Sequence, residues 1–180
     1  MATFNPNAPS IDEIHPKGMF ATNAVTLEAT ITNEQENKPG SGGRSMLVIT
    51  IRTDLGDGGE GYLVDRLVFT PETAPSDFPM RKLVDFCRAT DTIELLMEDG
   101  QGKDVSDLEV LNDFANTVSA LGVAPTVQVA HSKRKDNGEL QANVRNYYAA
   151  NSAAPIKLEQ AELPTMKNRP KKIKDTDLPF

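Results

Sequence analysis

A chain of 180 residues with 38% hydrophobic and 25% charged side chains has the size and polarity of one soluble domain plus a tail. It has no apolar run near the roughly 18 residues that cross a bilayer, and its start, Met1-Ala2-Thr3-Phe4-Asn5-Pro6, lacks the basic and apolar regions of a secretion signal. A net charge of −7 argues against a uniformly basic nucleic-acid binder, and one cysteine with two histidines excludes an internal disulfide and leaves too few ligands for a zinc site.

The first 18 residues read as a flexible arm, with a turn-forming cluster at Asn5-Pro6-Asn7-Ala8-Pro9-Ser10. From Met19 to Thr32, Val25, Leu27, Ala29 and Ile31 alternate with Thr26, Glu28 and Thr30, the period of a half-buried strand. A polar, Gly-rich loop covers 33–43. A second strand spans Ser45 to Thr53, with Leu47, Ile49 and Ile51 on one face and Met46, Val48, Thr50 and Arg52 on the other. After a turn at 54–59, a third strand from Gly61 to Thr70 sets Leu63, Leu67 and Phe69 against Tyr62, Val64, Arg66 and Val68.

Helical spacing then takes over. Met80, Leu83, Val84 and Cys87 predict a helix over Met80 to Ala89, with Cys87 as a buried apolar thiol. Ser106-Asp107-Leu108-Glu109 has the form of a capping box. It precedes an apolar stripe of Leu108, Leu111, Ala115, Val118 and Leu121, which Gly122 ends. The stretch 91–103 fits a short helix or a short strand. Val127 and Val129, then Leu140, Ala142 and Val144, return to period two around a hairpin with Asn137-Gly138 at its tip. Residues 151–180 lack periodicity and read as a disordered tail.

The order β-β-β-α-β-β matches a five-stranded OB-fold barrel over 19–150, with a helical insertion between strands 3 and 4; an α+β sandwich shares that string. OB barrels bind oligonucleotides along strands 2–3 and at the first and last hairpin loops. Single-strand binding needs flat side chains for bases and cations for phosphates. Arg52, Tyr62 and Arg66 share one predicted face, and a solvated rim is the competing reading. Lys133, Arg134 and Lys135 cluster near the last turn, with Asn143, Arg145 and Tyr147 on one face beyond it. A basic turn that protects an exposed edge has the same composition. Lys17, Phe20 and Arg44 are weaker candidates. Phe69, Phe78, Phe86 and Phe114 are expected in the core.

Catalytic signals are poor. The Gly-rich segment 56–61 has no Lys-Ser/Thr after it, so it is no phosphate loop. Asp54, Asp57, Glu60 and Asp65 offer carboxylates for Mg²⁺, but acidic turns are far commoner than metal sites. No nucleophile–base set stands out, and neither metal nor cofactor is expected.

The end of the chain is its most specific feature. Asp175-Thr176-Asp177-Leu178-Pro179-Phe180 follows a basic stretch, Lys167-Asn168-Arg169-Pro170-Lys171-Lys172-Ile173-Lys174. Phe180 suits a small apolar pocket, its carboxylate an Arg or Lys rim, and Pro179 limits the freedom lost on docking. The tip resembles the acidic C-terminal peptide of the bacterial and phage single-stranded-DNA-binding proteins, which end in several Asp followed by Ile-Pro-Phe or Leu-Pro-Phe. Two stretches, 61–67 and 83–89, and the closing hairpin are also similar to phage DNA-metabolism proteins with an OB-type core.

The resemblance implies a protein that coats single-stranded DNA during phage replication or recombination in a bacterial cytoplasm. It implies that Asp175, Asp177, Leu178, Pro179 and Phe180 dock a helicase, primase, polymerase or nuclease. The protein would have no catalytic activity and no membrane association, and it is open to homo-oligomer formation. Charge is the difficulty. Residues 151–180 hold six basic and four acidic side chains, leaving 13 and 22 in residues 1–150, a net of −9. An acidic OB-like adaptor that binds a replication or recombination enzyme, but not DNA, is therefore the alternative.

Overall fold

The computed structural model describes residues 1–8, 19–32, 44–54 and 60–150. Strands β1 (Met19–Thr32), β2 (Arg44–Asp54) and β3 (Glu60–Phe69) come first. Helix α1 (Phe78–Thr90) follows, then a 3-10 turn (Ile93–Leu96) and the two-residue strands β4 (Met97–Glu98) and β5 (Gln101–Gly102). Helix α2 (Leu108–Leu121) and strands β6 (Thr126–Lys133) and β7 (Leu140–Tyr148) complete the body.

The long strands form one antiparallel sheet in the order β3-β2-β1-β6-β7. β1 joins its two halves. Met19 to Ala21 pair with β6, and Thr22 to Thr32 pair with β2. A bulge between Thr22 and Ala24 lies where the partner changes. An inserted residue bends a strand and increases its twist, which lets one strand serve both halves.

The sheet is not the closed barrel expected from the strand order. β3 and β7 remain its two edges, without a backbone ladder between them. Side chains close the seam instead. Lys82 of α1 is 2% exposed. Its Nζ lies 2.7 Å from Asp65 Oδ2 of β3 and donates to the Val144 carbonyl of β7. Tyr147 Oη of β7 donates to the same Asp65 oxygen at 2.7 Å. The Tyr147 ring meets Phe86 of α1 edge-on at 5.0 Å. An inserted helix thus occupies the place of a β3–β7 ladder, so the edges meet through a buried ion pair and a ring.

The strand faces follow the predicted alternation except near the end of β1, where Ile31 is 49% exposed. Leu47, Ile49 and Ile51 of β2, Leu67 and Phe69 of β3, and Val25 and Leu27 of β1 point into the core. There they meet Met80, Leu83, Val84, Phe86 and Cys87 of α1 and Leu111, Phe114, Ala115 and Val118 of α2. Burial pushes the Cys87 thiol up to about 12, so it stays protonated. α2 is stitched to β1 through Ser119 Oγ, which accepts from the Leu27 amide at 2.8 Å. Its cap is one residue later than expected: Asp107, not Ser106, accepts from the Glu109 amide. Ser106 instead donates to Asp104 Oδ1 at 2.6 Å. Leu111, Ala115 and Val118 of the predicted stripe are buried and Phe114 is in the core as expected, but Leu121 is 61% exposed. Phe78 is also exposed, at the first turn of α1, contrary to its expected core role.

The first eight residues are not a loose arm. Ala2, Phe4 and Ala8 are buried. The Phe4 amide donates to the Lys103 carbonyl, the Val105 amide to the Ala2 carbonyl, and Arg88 holds the carbonyls of Pro6 and Ala8. A Cβ on Gly102 would sit 1.6 Å from the Phe4 carbonyl oxygen, so the close approach needs glycine. Asp104 Oδ1 accepts from the Ala2 amide and from Ser106. Burial alone would raise its carboxyl, but the hydrogen bonds from Ser106 and Ala2 outweigh it and hold the group below the usual range. The remaining residues of the predicted arm, 9–18, lie outside the described residues, as do the loop 33–43 and the tail 151–180.

Lys82→Ala strands the Asp65 charge in the interior. It is expected to destabilise the fold by about 3–5 kcal/mol in urea denaturation, whereas Tyr147→Phe costs about 1 kcal/mol. Replacing the charges together (Asp65→Leu, Lys82→Met, with Tyr147→Phe) is expected to recover most of that loss. The lowered Asp104 carboxyl contributes stability that is complete above its unfolded value of about 4 and is lost as pH falls through the folded value. Asp104→Asn should therefore flatten the acid limb of the stability–pH curve.

Candidate nucleic-acid interface

The side chains that turn away from the core on β1–β3 make one continuous outer face. Its rows follow from the register: Ala24, Arg52 and Tyr62; Thr26, Thr50 and Val64; Glu28, Val48 and Arg66; Thr30, Met46 and Val68. Arg52, Tyr62 and Arg66 do share this face, as their period-two positions predict. Arg52 and Tyr62 are direct cross-strand neighbours. Arg66 stands four residues along β3 from Tyr62, a rise of about 13 Å. Tyr62 is 64% exposed and Val64 41%, large values for an aromatic and a β-branched side chain on a sheet.

Carboxylates interleave with these cations. Glu60 Oε1 lies 3.7 Å from Arg52, and Glu60 Oε2 accepts from Tyr62 Oη at 3.1 Å. Glu28 occupies the same row as Arg66. The face therefore combines an exposed ring, two guanidiniums and a partial cover of acid.

Beside Tyr62 the surface opens into a cleft of about 230 Å³. Thr53, Gly61, Tyr62 and Leu63 line it from the β2–β3 hairpin, and Val129, His131 and Ala142 from the β6–β7 hairpin. The lining is chiefly apolar, with His131 exposed at one side and the Tyr62 ring at the other. The cleft thus joins the two segments singled out from the sequence. Leu63 and His131 were not among the predicted contacts. His131 continues the Val127–Val129 alternation, a signal that was present in the sequence; Leu63 was placed only on the strand face it shares with Leu67 and Phe69.

The β6–β7 hairpin exposes Lys133, Arg134 and Lys135. Gly138 has φ 71° in the turn, where any other side chain would be strained. Arg134 grips Asp136 with two bonds, Nε to Oδ1 at 3.0 Å and a terminal nitrogen to Oδ2 at 2.6 Å. That pairing is the main reason the Asp136 carboxyl lies below its usual range. Lys133 and Lys135 have no ion pair among the described residues.

Beyond the turn, the predicted shared face of Asn143, Arg145 and Tyr147 does not exist. The register shifts between Gln128, which faces Asn146, and Val129, which faces Val144. The extra residue, Arg145, is exposed. Asn143 is half-buried and donates across the hairpin to Ser132 Oγ at 2.8 Å. Tyr147 is 3% exposed and belongs to the core. Its hydroxyl stays protonated because burial, then the Asp65 charge, holds its pKa well above the ordinary value. It cannot stack on a base.

Asp65, weighed as a possible metal ligand, is committed to Lys82 and Tyr147, and Glu60 to Arg52 and Tyr62. No group of three metal-ligating side chains forms among the described residues. No helix among them is long and apolar enough to cross a membrane. Asp175, Asp177, Leu178, Pro179 and Phe180, expected from the sequence to dock a partner, lie outside the described residues, as do the basic stretch 167–174 and Lys17. No protein-family model matches the chain, and no curated protein sequence matches it.

Tyr62→Ala removes the one exposed ring at the cleft. It is expected to weaken binding of labelled oligo-dT by the equivalent of one stacked base, about 1–3 kcal/mol or roughly 5- to 150-fold in fluorescence anisotropy. Tyr147→Phe, a buried change, is expected to leave that affinity within about twofold.

Proposed function

We propose that this chain is a non-catalytic single-stranded-DNA-binding protein. It holds the strand along the outer face of β2–β3 and in the cleft beneath the β6–β7 hairpin. It recruits replication or recombination enzymes through its C-terminal tip. One observation carries the proposal: Tyr62, with Arg52 beside it, stands exposed at the lip of an apolar cleft whose far wall belongs to a cationic hairpin.

Unpaired strand offers alternating flat bases and phosphates, and this site offers a ring, an apolar slot and flanking cations in the same combination. Seven of the 13 basic side chains of residues 1–150 belong to these elements: Arg44, Arg52, Arg66, Lys133, Arg134, Lys135 and Arg145. The fold reading points the same way. Five antiparallel strands, the first shared between two halves and a helix between the third long strand and the fourth, suit the partly open Greek-key barrel of the OB type. In such barrels the strand 2–3 face and the last hairpin loop bind oligonucleotides. Arg145, outside the buried set at its bulge, is a candidate phosphate contact. Asn143 acts by bracing the hairpin.

The competing adaptor reading draws on the net −9 of residues 1–150 and on the acids beside Arg52 and Arg134. Titration of labelled oligo-dT at two salt concentrations separates the two. Tight binding that falls with salt is the expected result, and no binding at low salt would leave the adaptor. Arg134→Ala with Lys135→Ala is expected to flatten the log–log salt dependence by about 1.4, at about 0.7 per phosphate contact on single strands. Removing 175–180 is expected to leave DNA affinity intact or raised while abolishing co-retention of a helicase, primase, polymerase or nuclease on coated DNA. Loss of DNA binding on that truncation would refute the division of labour.

A further inference from the structure

We propose that Glu60 and Asp136 are gate carboxylates: they occupy cations of the interface in the free protein, so that any nucleic acid must displace them and only a ligand with further contacts to make binds past them. This rests on the single-strand reading above. Two cations, one on each of the hairpins that wall the cleft, are paired with an acid: Arg134 is gripped by Asp136 through both oxygens, and Arg52 meets Glu60 through a single 3.7 Å contact. A guanidinium forks onto a carboxylate as it forks onto a phosphate, so Asp136 stands where phosphate oxygens would bind, and Glu60 lies where it competes for Arg52. Glu60 also holds the hydroxyl of Tyr62. One side chain therefore restrains the ring and its neighbouring cation together.

Nucleic acid must displace these carboxylates to reach Arg52 and Arg134. A duplex exchanges one anion for another at each arginine and gains little, since its bases are paired and stacked. An unpaired strand makes the same exchange and in addition lays a base on Tyr62 and fills the apolar cleft. Only the second ligand has a surplus to drive the exchange. The acids thus lower the affinity of both ligands by a similar factor, and a polyanion that has phosphates but no free base falls below the binding range first. Neither residue contributes to the core; Glu60 is half-exposed and Asp136 more so.

The test uses the full chain as wild type, Glu60→Gln, Asp136→Asn and the double variant. Glu98→Gln serves as a control that makes the same charge change in the β4–β5 hairpin, which shares no lining residue with the cleft. Labelled oligo-dT and a blunt duplex of equal length are titrated at low and moderate salt, with urea midpoints as a check on folding. The double variant is expected to bind oligo-dT and the duplex each about tenfold more tightly, with a salt slope steeper by about 1, so that a duplex kept off the wild type at moderate salt becomes bound. Glu98→Gln is expected to change neither affinity beyond about twofold. If wild type binds oligo-dT but the folded variants bind both ligands as wild type does or more weakly, the gate is refuted and the interface stands. The same gain in Glu98→Gln refutes it too, because general charge then explains the result. If no form binds oligo-dT, the single-strand reading fails and the gate with it.

Discussion

A buried lysine holds this fold in shape. Lys82 reaches from α1 to Asp65 on one sheet edge and to the Val144 carbonyl on the other, and Tyr147 shares the Asp65 oxygen. Charges this deep are costly to desolvate, and the cost is met only when each polar atom has a partner. Here Nζ has a carboxylate and a carbonyl, with the Phe78 ring 5.4 Å away. The Asp65 carboxylate has an ammonium and a hydroxyl. A sheet whose edges carry no mutual ladder is thereby held as one body. The arrangement fixes how the β2–β3 and β6–β7 hairpins face each other, and so the existence of the cleft between them.

From that constraint the interface follows by alternation. Because β2 and β3 bury Leu47, Ile49, Ile51, Leu67 and Phe69, they must present Arg52, Tyr62, Val64 and Arg66 outward. Because β7 carries a bulge at Arg145, the same logic fails there: Arg145 turns to solvent and Tyr147 turns in. One inserted residue thus decides which of two tyrosines is available to a ligand. The ring that remains outside, Tyr62, is the one beside a guanidinium and an apolar recess.

The electrostatics are local rather than global. A net of −9 over residues 1–150 repels a polyanion at long range. At contact distance, what matters is which charges share the surface. Lys82 and Arg88 are spent on the fold, the one on Asp65, the other on the N-terminal carbonyls of Pro6 and Ala8. Arg52 and Arg134 are outside but paired. Exposed pairs of this kind contribute little to stability, in the range of about 0–1 kcal/mol, and so exchange readily for another anion.

The strands, both helices and the final hairpin are legible in the chain's local pattern, because their apolar periods are local and each core face is written in steps of two or of three and four. That pattern also places Arg52, Tyr62 and Arg66 on one face, since nothing interrupts the alternation of β2 and β3. The tertiary structure alone decided the rest. Asp65 falls in step with Leu63 and Leu67, and Lys82 lies among Met80, Leu83 and Val84, but no local pattern shows that two such charges will meet across a seam. The packing of residues 1–8 depends on the space left by Gly102, about 100 positions later. The inward turn of Tyr147 depends on a register shift set by pairing with β6. Each is a long-range fit, made by partners distant in the chain, and local periodicity carries no record of partners.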